Sequence, residues 1–507
     1  MITRLASRLN DLPISIWLIP IGLLSSILLI ANLGNQYLWQ DEAQTALISK
    51  TVIQGGWPRG YDGTNYFSQE LGAEYGAGYI YKWHPWLPFY ILAGFFKIFG
   101  TSTFVARLPF ALFGVATVLL VYRLGTLLSG DRRTGLVSAL LLSLSVPFLL
   151  LSRQCRYYAP AMFFCTAALA CHLRAMEDNR KVHSALYALS LVLLFHTHQL
   201  FFAVSAVSTV THSALFYRSR LKQVIIFSAI ALLLSAPWIL WVYNADYNKV
   251  YPATLESARV LSFLGNYLAL IYRHLLGPLF LFGVVLVGLL FWRKPASFRP
   301  MENFAGRRWG LLVVFLCVAL VAVSATSFGL FFRYLGPLVP VFALVAGGMI
   351  CALAGWSRLL AAGLVVCNLA LSPIPQYLYE ITHDYDGPIE GIVNYLNGHA
   401  AGGDVVVATY GDLPIKWYTG LRVVGGLTGE PLDQAKDARW VIFRKYTISE
   451  KDLAVKMYLA QHLDPGRYEK IVLDFPDLPF ENREDPDLHQ YRTVRNESRV
   501  VIYRRMP

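Results

Sequence analysis

The sequence predicts a polytopic α-helical membrane protein with about 11 transmembrane helices, followed by a soluble C-terminal α/β domain. Three observations predict it. Of 507 residues, 55% are hydrophobic and only 15% charged, where a soluble chain carries about a quarter charged residues. Apolar stretches of roughly 17–25 residues, the length that crosses a bilayer, recur along the chain. Charge then divides the sequence near residue 375. Residues 1–375 hold 28 Lys and Arg against 12 Asp and Glu, and residues 376–507 hold 16 against 20. The basic excess sits in turns between apolar stretches, so it is a topology signal rather than a nucleic-acid footprint.

The spans are expected near 13–33, 103–124, 133–151, 157–174, 183–197, 199–217, 223–243, 273–292, 309–327, 334–352 and 356–373. The first follows Arg4 and Arg8 and is too long for the core of a signal peptide, so it reads as a retained helix with a cytoplasmic N-terminus. Basic turns then fall on one side: Arg132 and Arg133; Arg180 and Lys181; Arg218, Arg220 and Lys222; Arg293, Lys294, Arg299, Arg307 and Arg308; and Arg358. Lys and Arg mark the cytoplasmic face. An odd span count puts the tail outside, with the first loop, residues 34–102. The stretch 85–100 (PWLPFYILAGFFKIFG) is too short to cross comfortably and reads as a helix lying in the interface. Its insertion would invert every later loop. The domain division is therefore 1–375 for the membrane part and 376–507 for the extracytoplasmic part.

In the tail, 404–409, 422–424, 440–444, 470–473 and 500–503 read as strands, and 389–396 and 451–462 as helices. Gly-Gly pairs at 55–56, 347–348, 402–403 and 425–426 fit no nucleotide-binding fingerprint. All six cysteines lie in or beside apolar spans, which suggests packing rather than a disulfide framework or a metal site.

Chemistry is expected where charge is scarce. Five of the 12 acids before residue 376 fall in the first loop: Asp41, Glu42, Asp62, Glu70 and Glu74. Carboxylates near hydrocarbon are costly and tend to mark function. Asp41 and Glu42 also suit the start of a helix, which is the plainer reading. Lys82 and His84, in YKWHPWLPFY, share the face of these acids, although Trp, Tyr and Lys also anchor at interfaces. Arg153 and Arg156, in SRQCRYYAP, stand on an outer turn against the usual charge bias. Two such arginines suggest an anionic partner, phosphate above all, or pairing with the acids of the first loop. Tyr157 and Tyr158 adjoin them. Arg333 and Tyr334 repeat the pattern at the outer end of a later span. His196 and His198 occupy another outer turn. Two histidines two residues apart are weak evidence for a metal, and polar lining of a cavity is preferred.

Taken in order, these motifs resemble the GT-C glycosyltransferases: the Asp-Glu pair after the first span, the His84-Pro85 segment, TSTFVARLPFALFG, SRQCRYY and RYLGPLVPVFALVAG. Within that group the chain looks like the bacterial relatives of protein O-mannosyltransferases and of the lipid A aminoarabinose transferase, over roughly residues 10–375. The tail run PFENREDPDLHQYRT also resembles tails of such proteins, with no chemistry attached. The resemblance implies a sugar carried on a polyprenyl phosphate, received on the extracytoplasmic face of a bacterial plasma membrane. It implies that Asp41 is the base on the acceptor hydroxyl; Glu42, beside it, is expected to help place Asp41 or the acceptor. His84 corresponds to the family's Lys or His near the donor phosphate, although Trp86 replaces a second proline. The turn at 153–156 lacks the acid that many members carry there.

The expected donor-phosphate set is Lys82, His84, Arg153, Arg156 and Arg333. Tyr157, Tyr158, His198, Glu70 and Glu74 are expected to line the substrate site. A lipid phosphate leaves readily, so one base with cationic stabilisation suffices, and direct displacement inverts the anomeric centre. No cofactor and no divalent metal are then required. The partners are a lipid-linked sugar donor and an acceptor glycan, lipid or protein. The rival class is a transporter, which would show internal repeats and mid-span breaks; no repeat is evident. A flippase for polyprenyl-linked sugars would share the lipid groove but tolerate loss of Asp41.

Overall fold

A computed structural model describes residues 14–178, 180–242, 257–276, 305–327, 329–447, 449–478, 484–494 and 498–507. The helices follow from long apolar runs punctuated by caps. Ser102 accepts a hydrogen bond from Val105 N at 3.2 Å and starts α4 (Thr103–Ser129); Gly130, at φ +74°, ends it. Its 27 residues extend about 40 Å, more than a bilayer's hydrocarbon thickness.

Before α4 come α1 (Leu18–Ile30), α2 (Gln40–Gly55) and the 13-residue α3 (Leu87–Phe99). After it come α5 (Arg132–Ser143), α6 (Val146–Ser152), α7 (Tyr158–Asp178), α8 (Lys181–Phe195), α9 (Gln199–Phe216) and α10 (Leu221–Val242). Then follow α11 (Ser257–Ile271), α12 (Ala305–Thr326), α13 (Val339–Trp356), α14 (Arg358–Leu371) and α15 (Ile374–Glu380).

Six of the described helices are long and apolar enough to cross a membrane, or eight if each of two bent pairs is one span. The expected eleven is therefore not reproduced. The span expected at 133–151 is α5 and α6, bent by 67°. Pro147 stands in the first turn of α6, where its missing N–H costs nothing. The span expected at 356–373 continues past a 50° bend into α15, behind Pro373. Beyond its first residues, the stretch expected at 273–292 lies outside the described residues.

Small residues let the helices approach. A Cβ on Gly347 of α13 would meet Ser138 Oγ of α5 at 2.1 Å, and one on Gly125 of α4 would meet Gly135 Cα of α5 at 3.0 Å. Close backbone approach is how helices gain packing energy where lipid offers no hydrophobic drive.

The tail forms a five-stranded sheet: β1 (Val405–Ala408), β2 (Arg422–Gly425), β3 (Trp440–Ile442), β4 (Tyr468–Pro476) and β5 (Arg499–Arg505), in the order β2-β1-β3-β5-β4. β1 runs parallel to β2 and β3, and β5 runs antiparallel to β3 and β4. Val406 of β1 packs toward Ile392 and Leu396 of α16 (Pro388–His399) and Ile415 of α17 (Asp412–Thr419). Val407 packs on the other face, with Val455 and Leu459 of α18 (Glu450–His462). Both faces are covered, so the central strands are apolar throughout.

The sheet unit is docked on the first loop. Tyr418 stacks on Tyr37 with centroids 4.0 Å apart, and its hydroxyl accepts from Leu38 N at 2.9 Å and bonds Thr103 Oγ1 at 2.7 Å. Buried Asp412 takes hydrogen bonds from Gln40 and Lys416, each at 2.8 Å. First loop and tail therefore occupy the same end of the helical bundle.

Candidate active site

The site is built around the first turn of α2. Trp39 precedes it in extended conformation, and its indole N–H donates to Gln154 Oε1 at 2.5 Å. Asp41 and Glu42 both lie in that turn, where carboxylates are favoured by the unpaired N–H groups of a helix start. Their surroundings differ completely.

Glu42 is fully buried in a two-pronged pair with Arg107 of α4, Nη2 to Oε2 at 2.7 Å and Nε to Oε1 at 2.8 Å. Cys155 N donates to the same Oε1 at 2.7 Å, and Arg107 Nη1 also donates to the carbonyls of Leu33 and Gln36. Glu42 thus clamps α2, α4 and the 153–156 turn together. Its carboxylate faces Arg107 and the 153–156 turn, not Arg333 or His84.

The Asp41 side chain is 12% exposed and is held by two guanidiniums. Arg333 Nη1 lies 2.9 Å from Oδ2, and Arg156 Nη2 lies 3.5 Å from the same oxygen. Arg156 Nη1 also donates to Asp41 O at 3.2 Å and to Thr45 Oγ1 at 3.1 Å. Nearby Asp41 holds the Arg156 pKa above its usual value, against the opposing effect of burial.

His84 comes next to this pair from the first loop, with its ring 5.4 Å from that of Tyr157, and Tyr157 lies 5.3 Å from His198 and 4.8 Å from Tyr158. Burial, with Arg156 adding to it, lowers the His84 pKa well below its usual value. Burial lowers that of His198 to about 4. Both imidazoles are therefore neutral near pH 7 and can form hydrogen bonds rather than supply charge.

The structure thus brings together Asp41, His84, Arg156, Tyr157, Tyr158, His198 and Arg333. Four other expected residues are occupied elsewhere. Arg153 donates to the carbonyls of Leu28, Ala31 and Asn32 at 3.2, 2.8 and 3.2 Å, satisfying the C-terminal end of α1, and its guanidinium lies over Tyr377. Its guanidinium therefore serves as a cap for α1. Lys82 places its ammonium 4.7 Å over Trp241. Glu70 pairs with Lys451 of α18. Glu74 is buried beneath the loop, where it accepts from Ser68, Gln44 and the N–H groups of Gln69 and Glu70. Burial raises its pKa and those hydrogen bonds oppose the rise.

The two outer-turn histidines point apart: His196 toward Trp238, His198 toward Tyr157 and Phe201. Among the described residues, no three His, Cys, Asp or Glu side chains converge as metal ligands. Two site residues were not singled out from sequence. Arg107 stands inside TSTFVARLPF as the one basic residue of an apolar run, and that isolation was its signal. Glu484, in the tail run PFENREDPDLHQYRT, lies 3.4 Å from Arg333 Nη1 and 3.5 Å from Tyr158 Oη.

Residues 83–241 match the family model of dolichyl-phosphate-mannose-protein mannosyltransferases. The matched segment holds His84, Arg156, Tyr157, Tyr158 and His198. An uncharacterised protein of Aquifex aeolicus is 31% identical over 144 residues, 28% of this chain and 26% of its own length. The chain thus spans about a quarter of the curated relative it matches. ArnT of Cupriavidus metallidurans, solved with undecaprenyl phosphate, superposes with a TM-score of 0.59 at 13% identity, over 96% of this chain and 98% of its own. The oligosaccharyltransferase AglB of Archaeoglobus fulgidus, solved with an inhibitory peptide and a dolichol phosphate, gives 0.53 at 13% identity, over 92% and 74%. The chain thus shares the fold of ArnT and AglB over nearly its whole length.

Proposed function

We propose that this protein is an inverting glycosyltransferase that moves a sugar from a polyprenyl phosphate to an acceptor hydroxyl. One observation carries the reading: in a GT-C fold, the Asp41 carboxylate is held between Arg156 and Arg333 at the helix ends beneath the first loop. In the reaction, Asp41 accepts the proton of the acceptor hydroxyl. The acceptor oxygen forms its bond to the anomeric carbon as the bond from that carbon to the phosphate oxygen breaks. The electron pair leaves with the lipid phosphate, and Arg156 and Arg333 neutralise it. Neutral His84 and the tyrosine hydroxyls offer hydrogen bonds to the phosphate or the sugar. Attack opposite the leaving group inverts the anomeric configuration.

Two guanidiniums already supply the positive charge that a departing phosphate needs, so chelation by EDTA is expected to leave transfer unchanged. The division at about residue 375 makes 1–375 the membrane catalytic part, with the tail capping it. The reading places the protein in a bacterial plasma membrane, with Asp41 and the tail extracytoplasmic. The acceptor is a glycan, lipid or protein hydroxyl. Incubating purified protein with undecaprenyl-phosphate sugars and measuring free undecaprenyl phosphate tests the reading. Acceptor-dependent release is expected; its absence across a panel of sugars, from protein that binds undecaprenyl phosphate, would contradict it.

A further inference from the structure

Residues 484–493, the described part of the tail run that sequence alone left without chemistry, lie across the helix ends and are fastened at four points. Glu484 meets Arg333 and Tyr158. Asp487 pairs with Arg273 at 3.0 Å and His274 at 3.1 Å. His489 bonds Glu380 at 2.7 Å, and Gln36 donates to Gln490 O at 3.4 Å. This strap carries one carboxylate, Glu484, with its side chain only 5% exposed, into the Asp41 centre.

The geometry at Arg333 is specific. Its Nη1 lies 2.9 Å from Asp41 Oδ2 and 3.4 Å from Glu484 Oε1, so one guanidinium nitrogen bridges two carboxylates. Alone between Arg156 and Arg333, Asp41 would be a weak proton acceptor, because nearby cations stabilise its ionised form. A second carboxylate on the same cation offsets part of that field and adds negative potential at Asp41. Among the described residues, Arg156 and Tyr157 from the 153–157 turn and His84 from the first loop also face Asp41. Glu42 is turned away to Arg107.

We propose that Glu484 is a positioning residue of this centre: by sharing Arg333 with Asp41 it holds that guanidinium between two carboxylates and keeps Asp41 a competent base. The tail thereby supplies the second acid that the 153–156 turn lacks. The proposal deepens the glycosyl-transfer reading and rests on it for the role of Asp41.

Dicyclohexylcarbodiimide, which reacts with protonated carboxyls, tests it on purified full-length protein without any sugar donor. Mass spectrometry follows the Asp41 adduct from acidic to neutral pH in wild type, Glu484→Gln and Glu484→Asp. Removing the Glu484 charge is expected to lower the midpoint of Asp41 labelling by on the order of one pH unit. Glu484→Asp keeps the charge and is expected to restore the wild-type midpoint. Should Glu484→Gln fail to fold, Asp487→Asn carries the test: it loosens the strap at a partly exposed point and is expected to shift the midpoint the same way by less. An unchanged midpoint, or equal shifts in the Gln and Asp variants, overturns the proposal. A shifted midpoint in protein that transfers no sugar overturns the glycosyl-transfer reading and leaves the coupling standing.

Discussion

Asp41 and Glu42 are adjacent in sequence, but burial and partners give them opposite work. Replacing Glu42 by Ala strands the buried Arg107 guanidinium. Breaking a buried pair this way costs about 3–5 kcal/mol. A large fall in the melting temperature of detergent-solubilised protein is the expected outcome, and a wild-type value would contradict the clamp. His198 makes a pH prediction. Its pKa is about 4 in the folded chain against about 6.5 unfolded. The unfolded state then binds more protons below the unfolded value, so this contribution to stability is present above about pH 6.5 and is lost as pH falls toward 4. His198→Asn is expected to flatten that part of the stability–pH curve, measured by thermal shift. Residues such as Asp41, Arg156 and Arg333 were legible because each is a charge where topology disfavours one. The pairing of Glu42 with Arg107, and the arrival of Glu484, were not: they join positions 65 and 151 residues from their partners, and no local pattern encodes such contacts.

At the scale of elements, the bends matter as much as the spans. Hydropathy reads straight through Ser145 and Pro147 because both flanks are apolar, so α5 and α6 looked like one helix. The proline was visible; the 67° turn it permits was not. That turn leads into residues 153–156, where Arg153 caps α1 and Arg156 reaches Asp41. The helix α17 was also missed, since its eight residues hold Pro414 and sit between Gly411 and Gly420, which read as turn signals. Contact between α5 and α13 depends on Gly347, where any Cβ meets Ser138. Gly347→Val is expected to force these helices apart and lower the melting temperature more than the same change at Gly363 of α14, whose Cβ would meet nothing. Equal shifts at the two positions would contradict this packing.

At the scale of the molecule, the tail reaches the Asp41 centre through Glu484 and is docked on the first loop through Tyr418 and Asp412. Its sheet was legible from short apolar strands between Gly and Asp turns, and its strap was legible only as an unexplained acidic run. Docked together, the first loop and the sheet unit must face the same compartment. Exposed cysteines introduced at Thr64 and Glu450 are expected to react alike with an impermeant maleimide in intact cells, while one at Arg133 stays unlabelled. Labelling of Thr64→Cys without Glu450→Cys would contradict the arrangement.

The central claim is that this assembly turns one carboxylate into a base for sugar transfer. Its most direct test is transfer from an undecaprenyl-phosphate sugar by purified Asp41→Asn protein, with undecaprenyl phosphate binding measured on the same sample. The account predicts retained binding, because the amide keeps the site's shape and Arg156 and Arg333 remain. It predicts a fall in transfer of about 10²–10⁴-fold, the range typical of a lost general base. Near-wild-type transfer by a variant that binds the lipid would remove Asp41 from the reaction and contradict the account.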